Sequence, residues 1–399
     1  MRHPEASHRS LARKLLLVCV VLIAYGSLYP FDFTAGLGAG VDGLFALHRP
    51  SRGDLVANLL LYLPLGACLA VAAASPSWIA LAFVAAAAGA GLSVVIEVLQ
   101  VWLPARFTSG TDVLLNIAST LLGAAAGQVI GSRAAVAARA GTTQHEIVPA
   151  GLVLLWLATR TAPFVPTIDW QKYKNALKPL VRWEDFTWLA SLRLALGWAI
   201  VAIALRLLWR GPHRALLLTL LMAGVAAAQV IVVGRVLRPP EFVAMALVLA
   251  VAPLFLRIEP RVMARGLSAA LLALIIVMGL APFDFVAEAA PFRWVPFAGS
   301  LTDSLEQNLL AMLEKLFFYG ALLWLLTEAG ARTRPAAICV ALVLLVLEIL
   351  QCWLPGRVAE STDPLLALGI GVLLHRLGAP GPDAAASRYT PVVTKRRHR

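Results

Sequence analysis

Three pairs of polar residues keep the spacing of a single helix face: Asp54 and Asn58, Glu97 and Gln100, and Asp112 and Asn116. Arg106 and Ser109 lie between the second and third pairs, in the stretch EVLQVWLPARFTSGTD that runs from 97 to 112. A carboxylate beside a guanidinium, with amides at hand, has three uses. It can lock a turn as an ion pair. It can hold a polar ligand with preset donors and acceptors. It can also move a proton, with Glu97 as general base and Arg106 on a phosphate, although a neighbouring guanidinium makes a carboxylate a poorer base.

The elements that must position these groups are apolar. Of the 399 residues, 60% are hydrophobic and 14% charged, and the mean hydropathy is +0.80. A soluble domain of that composition could not cover its surface with polar groups. The fold expected is an all-α, polytopic membrane protein. Twelve apolar runs are long enough to be read as spans: 15–32, 54–74, 78–102, 112–131, 147–164, 187–208, 214–234, 241–257, 266–282, 305–327, 335–353 and 362–377. Arg160 and Arg193 interrupt the fifth and sixth. The first reads as a retained anchor, because no small-residue cleavage site follows Tyr25, Gly26 and Ser27 before the polar YPFDF.

Charge sets the expected orientation. With the N-terminus in the cytoplasm, that side holds 20 of the 34 Lys and Arg residues against five of the 22 acids. This bias places both termini in the cytoplasm of a multi-pass protein of the cell (inner) membrane. The net charge of +12 is thus a topology signal, and the TKRRHR tail can also touch anionic lipid. Nucleic acid is not an expected partner, since no basic face interleaved with stacking aromatics is present. Neither a metal nor another cofactor is expected: Cys19, Cys68, Cys339 and Cys352 form no C-x-x-C pair, and the seven histidines form no H-E-x-x-H.

The first motif returns later in the chain. EILQCWLPGRVAESTD repeats it 251 positions on, so that Glu97, Gln100, Trp102, Arg106 and Asp112 fall on Glu348, Gln351, Trp353, Arg357 and Asp363 without a gap. YPFDF (29–33) likewise returns as APFDF (281–285), which matches Asp32 with Asp284. A fainter copy lies between, where Gln229, Arg235 and Glu241 keep the spacing of Gln100, Arg106 and Asp112, and APFVP (162–166) ends an apolar run. Three four-helix units are expected, at 1–140, 141–262 and 263–399.

DLVANLLLYLPLGA (54–67) followed by IEVLQVWLPARFTSGTDVLLNIASTLLGAAAG (96–127) resembles the VanZ-like membrane family, whose pattern is N…F-x-P-x-G and then E-x-x-Q…R…S-x-x-D-x-x-x-N…G. The resemblance is strong over the first unit, good over 277–377 and weak in the middle. LEKLFFYGALLW (313–324) is similar to the family's second-helix variant that begins with an acid and a lysine. Ala367 stands where Asn116 would recur, and the middle unit has Ala226 for Glu97 and Met245 for Asn116. The family's namesake is associated with low-level resistance to the glycopeptide teicoplanin. The resemblance therefore implies an envelope setting rather than a reaction.

With an even number of spans per unit, the polar ends of all four helices meet at the outer face. Asp32 ends helix one, Asp54 and Asn58 open helix two, Glu97 and Gln100 close helix three, and Asp112 and Asn116 open helix four. Two readings compete. In one, Arg106 clasps Asp112 or Glu97, and Arg357 clasps Asp363 or Glu348, to hold the turn. In the other, these residues line a site for an envelope lipid, glycan, lipid-linked precursor or glycopeptide, with glycopeptide resistance or envelope maintenance as the role. Glu97, Asn58 and Asn116, which do not all recur, are the expected ligand contacts, with Ser109 beside them. Catalysis on a lipid-linked substrate is the second hypothesis. Transport is the third, set back by the lack of charges at mid-membrane or of helices broken by paired Gly and Pro. The segment 167–185 reads as an interfacial helix, and LLGAAAG (121–127) as close packing by small residues.

Overall fold

The computed structural model describes residues 4–34, 46–47, 52–73, 77–104, 108–139, 146–162, 164–181, 183, 186–209, 211, 213–255, 258–297 and 305–377. Among these, every regular element is helical. α1 (Pro4–Leu28), α2 (Arg52–Ala73), α3 (Trp78–Gln100) and α4 (Gly110–Arg139) come first, followed by α5 (Ile147–Thr161) and the short α6 (Trp170–Leu177). α7 (Trp188–Leu208), α8 (Arg214–Ile231) and α9 (Pro239–Phe255) continue the chain, and α10 (Pro260–Leu280), α11 (Leu305–Glu328), α12 (Thr333–Gln351) and α13 (Thr362–Arg376) complete it.

Each of the twelve apolar runs overlaps one of these helices, but length divides them. Seven helical segments among the described residues are long and apolar enough to cross a membrane, lying in α3, α4, α7, α8, α10, α11 and α12. The chain is thus a multi-pass, all-helical membrane protein. Three further apolar segments, Leu61–Ala73, Ile147–Thr161 and Pro239–Ala252, are shorter. α5 and α13 each have 15 residues, a rise of about 22 Å against a hydrocarbon core of ~30 Å. The expected ends at 164 and 377 run past the points where the backbone leaves the helix.

Sequence sets these ends. α1 stops at Leu28, and Phe31 follows with φ 65°; α10 stops at Leu280, and Phe283 follows with φ 67°; after α5, Phe164 has φ 62°. Three phenylalanines in the left-handed region are unusual, and each donates its N–H three residues back, to Leu28, Leu280 and Thr161. Helix starts use ordinary caps: the Ser77 hydroxyl accepts from the Ala80 N–H at the head of α3, and Thr187 from Ala190 at the head of α7. α6, inside the expected interfacial stretch, is capped by Asp169, and its Lys172 donates to the Gln229 and Val230 carbonyls at the end of α8. Burial of that ammonium lowers its pKa.

The chain forms two compact units, 1–143 with 298–309, and 144–297 with 310–399. In the first, Ile23, Tyr62, Leu65, Ile96 and Leu103 make an apolar centre among α1, α2 and α3. α2 and α4 approach to backbone contact. A Cβ on Gly123 would lie 2.0 Å from the Leu63 carbonyl oxygen, and one on Gly66 would lie 2.0 Å from that of Thr120. Small residues allow this approach in lipid, as expected of LLGAAAG. Gly123→Ala must push α2 from α4, an overpacking cost of about 1–3 kcal/mol or more, read as a lower unfolding temperature in detergent. Gly91, whose added Cβ would meet nothing within 4 Å, is the matched control.

The second unit is built around Trp156 of α5, whose ring lies 5.8 Å from Trp198 of α7 and 4.8 Å from Phe317 of α11. α11 therefore packs on the helices that precede it by more than a hundred residues, and the middle and last stretches of the chain share one core.

Candidate functional site

In the first unit the polar residues form two layers between α2, α3 and α4. In the layer near the helix ends, Gln100 donates to the Ser27 carbonyl at the end of α1 (2.8 Å). Glu97, 4% exposed, accepts the Ser109 N–H (2.8 Å) just before α4. Asn58 donates to Asp112 (3.1 Å), and the Glu97 and Asp112 carboxyl groups are close enough to interact electrostatically. One helical turn deeper, Asn116 donates to the Ser93 hydroxyl (2.8 Å), and Ser93 shares a hydrogen bond with Tyr62. Each helix contributes one residue to each layer at i, i+4 spacing: Asn58 and Tyr62, Ser93 and Glu97, Asp112 and Asn116. The Asn116 side-chain oxygen Oδ1 and the Thr108 hydroxyl are buried without a hydrogen-bond partner.

Other sequence candidates lie elsewhere. Asp32 and Asp284 are exposed, and no hydrogen bond joins either to the layers among the described residues. Asp54 falls in the first turn of α2, with its side chain outside the description. Arg106 lies outside the described residues.

The second unit reproduces the upper layer. Gln351 donates to the Gly279 carbonyl at the end of α10 (3.0 Å), and Glu348 accepts the Glu360 N–H (2.8 Å). Thr34 and Val286 donate their N–H groups to the Trp102 and Trp353 carbonyls, both at 2.9 Å, while Thr167 does the same to Ile231 at 3.1 Å. Asp363 is held differently from Asp112: Lys315 (2.5 Å) and the Tyr319 hydroxyl (2.6 Å) both donate to it. The deeper layer is missing here, because buried Leu344 and Ala367 stand at the positions of Ser93 and Asn116.

The expected Arg357 ion pair does not form. Its Nη2 donates to the Met278 and Ala281 carbonyls at the end of α10 (2.9 and 2.8 Å). Arg235 does the same for α5, donating to Thr159 (3.1 Å) and Ala162. The physical reason is that the last carbonyls of a helix lack intrahelical donors and carry the negative end of its dipole. A fork of N–H groups in the adjoining turn satisfies several at once.

Arg160 and Arg193, which interrupt apolar runs, form a charge network in the second unit. Arg160 pairs with Glu241, and both are buried. Arg160 also lies 3.9 Å from Glu314, and Arg193 lies 3.3 Å from it. Trp156 covers the Arg160 guanidinium at 5.6 Å. Two arginines and two glutamates thus lie within apolar helices, with Arg160 in the last turn of α5, Glu241 in the first turn of α9 and Arg193 five residues into α7. The signal in sequence was the interruption itself, since an arginine within a span demands a partner.

Among the described residues the two-layered arrangement lies in the stretch from α1 to α4. Residues 8–131 match the VanZ/LLP1 family model. The match covers Asp32, Asp54, Asn58, Glu97, Gln100, Arg106, Ser109, Asp112 and Asn116, so both polar layers belong to the VanZ-like segment. No curated protein and no solved structure matches the chain.

Proposed function

We propose that the VanZ-like segment binds an envelope glycan, a lipid-linked sugar precursor or a glycopeptide at the outer face of the inner membrane. The observation that carries this reading is the buried, unpartnered side-chain Oδ1 of Asn116 one helical turn below Glu97. Buried polar atoms are ordinarily satisfied. The Thr108 hydroxyl is unpartnered too, and Glu97 has one N–H donor among the described residues. Such a layer has acceptors to spare and suits a ligand rich in O–H and N–H groups, such as a sugar or an amine. The Lys and Arg bias, with the N-terminus in the cytoplasm, favours the outer side for this layer. The hydrogen bonds from Gln100 and Gln351 to the preceding helix end are fold devices, while Glu97, which stands above a polar deeper layer seen once among the described residues, binds the ligand together with Asn116. Envelope maintenance or glycopeptide resistance is the role that follows.

A mass spectrum of the protein purified in mild detergent tests this. The expected result is a retained species bearing a sugar. Recovery of ordinary phospholipid alone, with no retained species after incubation with lipid-linked sugar, contradicts it.

A further inference from the structure

Arg193 stands five residues into α7, about 7.5 Å along the axis from Trp188, on a helix long and apolar enough to span. Its guanidinium meets Glu314 on one side and is 29% exposed, with Glu314 at 27%. Leu189, one turn before it, shares its face of α7, and Trp188 and Leu192 lie on the strip beside Leu189; the three are exposed at 71% (Trp188), 37% (Leu189) and 52% (Leu192). Beneath, Arg160 and Glu241 neutralise each other, and Arg160 lies near the other oxygen of Glu314. A part-exposed guanidinium beside an exposed apolar strip takes further acceptors, because an arginine left bare in hydrocarbon is strongly disfavoured.

The geometry points to a phospholipid site at the start of α7 that takes a zwitterionic headgroup carrying a primary ammonium. The phosphate sits on the open N–H groups of Arg193, for which the planar fork is suited. The ammonium sits on the Glu314 carboxylate. Trp188 lies at headgroup level, and an acyl chain runs along Leu189 and Leu192. An anionic headgroup without an amine brings its phosphate to Arg193 but leaves Glu314 without a cation from the ligand. This site is independent of the two polar layers in the VanZ-like segment.

The test uses the full chain, stripped of lipid in detergent and incubated with phosphatidylethanolamine or phosphatidylglycerol, with bound lipid counted by native mass spectrometry. The wild type retains the ethanolamine lipid in preference to the glycerol lipid. Arg193→Gln lowers that retention roughly tenfold or more, as loss of a charge-assisted hydrogen bond does. Glu314→Gln keeps phospholipid bound but loses the preference. If Arg193→Gln does not fold, Arg193→Lys is read instead, with retention down roughly threefold because an ammonium cannot grip a phosphate with a fork. Unchanged retention in the folded Arg193 variant, or no preference in the wild type, overturns the assignment.

Discussion

Arg160→Gln destabilises the second unit by about 3–5 kcal/mol, the cost of leaving a buried charge without its partner. Glu241 is 5% exposed and Arg160 is 8% exposed, so water cannot replace the missing guanidinium. Glu314 suffers less, because Arg193 remains 3.3 Å away and both are partly exposed. The double change Arg160→Met with Glu241→Leu recovers most of the loss, since well-packed apolar side chains need no partner. Unfolding in detergent, followed by tryptophan fluorescence, measures both. A single variant as stable as the wild type would mean that the pair does not hold α5 to α9.

The helices were legible because apolar runs of span length admit no other backbone. The faces of the site were legible too, since i, i+3 and i, i+4 spacing put Asp112 beside Asn116 and Glu97 beside Gln100. The repeated motif also foreshadowed the matching hydrogen bonds of Gln100 and Gln351 and of Glu97 and Glu348. What the motif could not reveal was the direction of its arginine. An acid six residues on and a row of bare carbonyls at the end of helix one are both good acceptors, and only three-dimensional placement chooses between them. Ser93 escaped notice for a related reason: a lone serine in an apolar helix carries no signal until Asn116 and Tyr62 come against it. The partners of Arg160 and Arg193 lie on helices far along the chain, which no local spacing encodes.

Glu97→Gln is expected to leave the VanZ-like segment folded while weakening ligand binding about ten- to hundredfold, the range for a hydrogen bond to a charged group. The amide oxygen of the new side chain can still accept the Ser109 N–H, so the turn before α4 keeps its anchor. Asn116→Ala has a smaller effect, about two- to tenfold, because it removes only a neutral hydrogen bond to the ligand. The chain itself carries the precedent for that change: Ala367 occupies the equivalent position, fully buried.

The most direct test of the binding claim compares Glu97→Gln with Glu348→Gln, each purified intact and examined by native mass spectrometry for the species the wild type retains. Both carboxylates accept a backbone N–H at 2.8 Å, but only Glu97 stands above a polar second layer. Binding by the VanZ-like segment predicts that Glu97→Gln loses the retained species and Glu348→Gln keeps it. Equal retention by the two folded variants, or equal loss from both, would contradict it.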